Sequence, residues 1–130
     1  MSIALWCLFF AGLLHVFSKA PLAVAQGKTS KGYDNSNPRD QQSALEGWGR
    51  RALAAHQNQL ESFPLFAAGI LVVTVTNTTS GMVDNLAIAF VVARVAYLLC
   101  YLKDIALLRS LVWGVGFCSS LALLCAPAWV

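Results

Sequence analysis

Charge is what this chain has least of. Only 12% of its residues are Asp, Glu, Lys or Arg and 58% are hydrophobic, whereas a soluble domain carries roughly 25% charge. That balance excludes an ordinary water-soluble globule and implies an integral membrane protein. At 130 residues there is room for one domain and at most about four or five spans of some 20 residues. A net charge of +3 is no nucleic-acid footprint, because the cations are not clustered with exposed aromatics; no nucleic-acid partner is expected. Cys-x-x-Cys pairs are missing as well. The four cysteines, Cys7, Cys100, Cys118 and Cys125, all lie in apolar runs, which argues against a zinc site or a redox disulfide and for inert thiols; no metal is expected. No internal repeat is present. Nor does a cation precede the first apolar stretch, and Lys19 stands between it and the small-residue run Ala23-Val24-Ala25. The stretch therefore reads as a retained span rather than a cleaved signal peptide.

What is there divides into four apolar segments, at about 3–25, 50–76, 82–102 and 105–127. A polar connector over about 26–49 carries the turn signal Asn35-Ser36-Asn37-Pro38. Pro64 interrupts the second segment, where it removes a backbone donor and predicts a kink near Leu60. Asn77-Thr78-Thr79-Ser80-Gly81 and Lys103-Asp104 mark short turns. Connections that short demand antiparallel neighbours. The expected fold is all-α, an up-down-up-down four-helix membrane bundle forming a single domain. A bundle this small also makes oligomerisation in the bilayer plausible.

The sparse charges then orient it. All nine Lys and Arg residues fall in the first connector, the third connector or the adjoining helix halves. By the positive-inside rule, connectors one and three are cytoplasmic and both termini face the other side. The sequon Asn77-Thr78-Thr79 lies on that other side and is read as a plain polar turn.

Two ionisable residues sit deep inside apolar segments. Glu61 lies ten residues beyond Arg51, roughly 15 Å into the membrane, and Arg94 lies eight residues before Leu102, roughly 12 Å in, at 1.5 Å per residue. The depths agree within a turn, so an ion pair between them is expected, and intramembrane charges of this kind usually mark function. Other polar groups gather at the same level or nearer the cytoplasm. Arg51, Asn58 and Glu61 share a stripe on the second helix, with His56 its most doubtful member; Arg94, Tyr97 and Tyr101 share one on the third; Arg109, Ser110 and Trp113 begin the fourth. The connector adds Lys28, Lys31 and Asp40. Such a cationic pocket, walled by lipid-facing helices, suits a small anionic cytosolic ligand meeting a lipophilic one from the bilayer. Glutathione has that chemistry. Its carboxylates need Arg or Lys, its ammonium a carboxylate such as Asp40 or Glu61, and its thiol a cation or hydroxyl that favours the nucleophilic thiolate.

These residues resemble the MAPEG family, the membrane-associated proteins of eicosanoid and glutathione metabolism. The resemblance rests on Arg51 with Ala55-His56, Asn58, Glu61 and Pro64, on Arg94-Val95-Ala96 with Tyr101, on Arg109-Ser110, and on Asn37-Pro38 followed by Asp40. It implies a homotrimer of four-helix protomers with glutathione between subunits near the cytoplasmic face. Asn58, Glu61 and Tyr101 would hold the tripeptide, Arg94 would support Glu61, and Arg109 and Ser110 would stabilise the thiolate, with Asp40 a helper. Arg51, Tyr97 and Lys28 complete the set of expected binding residues. The implied activity is a glutathione-dependent transferase or peroxidase acting on lipophilic electrophiles, with glutathione as co-substrate.

The chain also departs from that pattern. Ala54 and Gln57 stand where related transferases and a prostaglandin E synthase carry arginines, and Tyr97 and Trp113 replace a histidine and a tyrosine of the synthase. These changes argue against a specialised prostaglandin synthase. They leave open an alternative on the same fold, a non-catalytic lipid-binding or scaffold protein. A proton-coupled exporter built on Glu61 is a third reading, weakened by Arg94 at the same depth.

Overall fold

The computed structural model describes residues 1–130. It is wholly helical: α1 spans Ile3–Gly27, α2 Pro38–Ser43, α3 Gly47–Val75, α4 Gly81–Leu102 and α5 Ala106–Leu124, with a 3-10 turn at Ala126–Ala128. Helices α1, α3, α4 and α5 are each long and apolar enough to cross a membrane. α2 is an addition to the expected connector. It starts where Asn37-Pro38 places proline in the first turn, a position that needs no backbone donor.

Each span buries a stripe at steps of three and four. On α1 it runs Ala4, Cys7, Ala11, Leu14, Ser18, Leu22, and on α4 Val83, Ala87, Phe90, Ala93, Tyr97, Cys100. Lipid offers no hydrophobic force between helices, so contact depends on close packing of small residues. Gly69 of α3 illustrates it: a Cβ there would lie 2.9 Å from Leu123 Cβ and 3.2 Å from the Ser120 carbonyl of α5. α1 packs on α3 and α4, and α5 packs on the same two. The section is therefore a rhombus whose short diagonal is the contact between α3 and α4. Phe66 and Phe90 stack across that diagonal with ring centroids 3.8 Å apart.

The two short turns close in the same way. Asn77 and Asp104 take left-handed backbone at φ 53° and 59°, which Asn and Asp tolerate better than most residues. The next amides then reach back to the helices they leave, Thr78 N to Val73 O and Ile105 N to Cys100 O, both at 2.9 Å. α3 runs unbroken through Pro64, which is exposed.

The connector is held by amides. Gln26, fully buried, donates to Gln41 Oε1 at 3.1 Å and accepts from Gln42 at 3.3 Å. Gln41 in turn donates to Thr29 Oγ1 and to the Gly32 carbonyl at 2.9 and 2.8 Å. Polar side chains also tie α1 to α3. Ser18 Oγ donates to the His15 carbonyl at 3.1 Å and shares a hydrogen bond with His56 Nδ1 at 2.8 Å, and the His15 ring meets Phe63 edge-on.

Candidate functional site

An α-helix turns by about 100° per residue, which decides what Arg94 meets on α3. Gln59 lies on the buried seam of Ala52, Ala55, Phe66 and Ile70; Asn58 lies on its flank; Glu61 lies further round, exposed. Arg94, only 2% exposed, crosses the short diagonal from α4. Its Nε donates to Gln59 Oε1 at 3.0 Å and its Nη2 to Asn58 Oδ1 at 2.9 Å. The direct Glu61–Arg94 ion pair expected from depth does not form. Asn58 stands between them instead, its own amide nitrogen donating to Glu61 Oε2 at 3.4 Å. Asn58 bonds to both residues, but the rotation about α3 turns Glu61 outward.

From Arg94 an aromatic ladder descends toward the third connector. The guanidinium carbon lies 4.2 Å from the centre of the Tyr97 ring. Tyr97 meets Tyr101 edge-on at 5.6 Å, and Arg109 of α5 lies over Tyr101 at 4.4 Å. Each cation faces the negative side of a ring, so the two charges are held apart with an aromatic partner each.

Beside Arg94 a cavity of about 200 Å³ opens between α3, α4 and α5. Asn58, Glu61, Ser62 and Arg94 form its polar side; Leu65, Phe90, Trp113 and Phe117 its apolar walls; Gly116 and Ser120 the floor. Trp113 and Phe117 stack at 5.1 Å along one edge. A second cavity, of about 300 Å³, lies at the opposite end between the start of α1 and the α3–α4 turn. It contains Asp84 and no cation, so of these two cavities the first is the one suited to an anionic ligand.

The structure therefore gathers Asn58, Glu61 and Arg94 at one cavity, and Tyr97, Tyr101 and Arg109 along one ladder. The remaining expected residues stand apart. Ser110 is exposed and donates to the Ala106 carbonyl of its own helix at 3.2 Å. Lys28 caps the end of α1, Asp40 is exposed on α2, and His56 is turned to α1 by Ser18. Arg51 is half-buried, with its Nε unpartnered. Gln59 is the residue the sequence reading missed. Its signal was legible: a single amide within the apolar seam of α3, where an unpaired polar group is costly.

A sequence model of the MAPEG family matches residues 3–129, essentially the whole chain. The chain belongs to the MAPEG family. No curated protein and no solved structure gives a significant match. Membership makes this an integral, multi-pass membrane protein of a family tied to eicosanoid and glutathione metabolism. In this MAPEG protein the polar centre is an arginine bound by two α3 amides, not an arginine bound by a carboxylate.

Proposed function

We propose that this MAPEG protein is a glutathione-dependent transferase or peroxidase acting on lipophilic electrophiles. The observation that carries the reading is the cavity between three span-forming helices, with a buried guanidinium on one side and aromatic walls on the other. A thiolate from the aqueous side attacks an electrophile held against the apolar wall. A carbon–sulfur bond forms as the leaving group departs, and the thiol proton goes to water. Arg109 stabilises the thiolate; Ser110 joins it by rotating its hydroxyl away from Ala106.

Size supports an assembled site. At about 30 Å³ per water-sized group, a cavity of about 200 Å³ takes roughly seven such groups. That is one arm of a tripeptide, so the rest lies along Tyr101 and Arg109 under a neighbouring subunit. A homotrimer with its first and third connectors in the cytoplasm meets this need.

Equilibrium binding of glutathione to the purified protein, with Arg109→Ala beside it, tests the proposal. Saturable binding and turnover of an aryl halide, both lost in the variant while its oligomeric state is kept, are the expected results. No binding at millimolar glutathione would sink the enzymatic reading. A non-catalytic lipid-binding scaffold would then lead, favoured by the exposed, internally bonded Ser110 and by Ala54 and Gln57.

A further inference from the structure

Arg94 carries a positive charge that no carboxylate balances. Both of its bonded nitrogens go to neutral amides, and no carboxylate oxygen comes within 4.0 Å of it. Glu61 is one amide removed and exposed at the rim of the cavity. The Tyr97 ring offers its face, a quadrupole rather than a counter-ion. A buried cation in this state favours any anion that enters beside it.

The residue that sets this state is Gln59. It is 3% exposed and held from both sides: its amide nitrogen donates to the Ala11 carbonyl of α1 at 3.4 Å, which leaves its carbonyl oxygen for Arg94. A carboxylate of the same shape would keep the bond to Arg94 and cancel the charge. The chain has the neutral isostere.

We propose that Gln59 is a positioning residue whose neutrality leaves the Arg94 charge to the cavity, so that the cavity selects ligands carrying an anionic group on an apolar stem. The anion, a carboxylate, lies against Arg94, and the stem lies against Leu65, Phe90 and Phe117. This rests on the proposed function in placing a ligand in that cavity, but not on the ligand being glutathione. The same chemistry arrives from water in the tripeptide or from the bilayer in a lipid acid.

The test measures dissociation constants for glutathione, hexanoate and hexanol on the full chain in nanodiscs, for wild type, Gln59→Glu and Gln59→Met. Wild type is expected to prefer hexanoate over hexanol. Gln59→Glu should cut that preference about tenfold or more, as a counter-charge some 4–6 Å away implies, with hexanol binding unchanged. Gln59→Met, which loses both hydrogen bonds but adds no charge, should keep the preference and melt at lower temperature. A merely structural role predicts the opposite order, with Met worse than Glu. Equal preference in wild type and Gln59→Glu, or no preference in wild type, overturns the inference. Glutathione binding that Gln59→Glu abolishes identifies the tripeptide as a source of the anion. A hexanoate preference without glutathione binding sustains the inference and withdraws the glutathione reading. Asn58→Asp brings the counter-charge from the other amide and decides the matter if Gln59→Glu does not fold.

Discussion

A primary amide donates and accepts at once, and Asn58 uses both ends. It accepts from the Arg94 guanidinium and donates to the Glu61 carboxylate. Replacing it with leucine keeps the branched shape, with some added bulk, and removes both bonds. A hydrogen bond to a charged group contributes about 1.5–3 kcal/mol, and the Arg94 bond is the shorter and more buried of the two. Asn58→Leu should therefore destabilise the protomer by about 2 kcal/mol, read as a lower unfolding temperature in detergent. An unchanged melting temperature would show that the relay contributes nothing. Asn58, Glu61 and Arg94 were legible in the sequence because polar groups at membrane depth stand out against apolar surroundings. Which of them touch was not legible. One residue along α3 is a rotation of about 100°, and spacing alone does not say which flank faces α4.

At the scale of helices, two glycines make opposite predictions. A methyl group on Gly69 meets Leu123 Cβ at 2.9 Å and backbone atoms of α5 at 3.2 Å. Backbone cannot give way cheaply, so Gly69→Ala should lower stability by about 1–3 kcal/mol. At Gly116 the nearest atoms lie 3.7 Å away, on Arg94 and Phe90, which is ordinary contact. Gly116→Ala should be neutral or gain up to about 1 kcal/mol from the better helix former. Parallel thermal melts check the pair, and equal effects would mean that α3 and α5 do not approach as described. The amide cluster of the connector makes a third prediction. Gln26→Leu strips partners from Gln41 and Gln42, at a cost of about 1–3 kcal/mol for each buried group left unsatisfied. Limited proteolysis should then cut between Lys28 and Glu46 faster than in the wild type. The four spans were readable from length and hydropathy. α2 and the cluster were not, because glutamines in a polar stretch look like solvated loop until the chain end of α1 is known to pass beside them.

For the whole molecule, the outward faces are apolar. Phe9, Phe10, Phe17, Leu71, Val92, Leu107 and Leu111 are all exposed in the protomer, as lipid or a second subunit requires. The proposed orientation is checked by labelling with a membrane-impermeant thiol reagent after Cys118 and Cys125 are replaced by serine. Ser30→Cys should react only from the cytoplasmic side and Thr79→Cys only from the other. The proposed trimer should appear as three chains of 14.0 kDa by native mass measurement, and a monomer would remove the neighbour that the glutathione site needs.

The sequence by itself determined the membrane class, the four spans and the family, and it singled out the two charges inside the spans. Each of these depends on composition, period or order along the chain, and none requires knowing what lies beside what. Tertiary structure decided the pairings: Arg94 with Asn58 and Gln59 rather than Glu61, His56 with Ser18 rather than the cavity, and Arg109 with Tyr101. Helix period fixes which residues share a face, but the rotation of each helix about its axis is set only by packing against its neighbours.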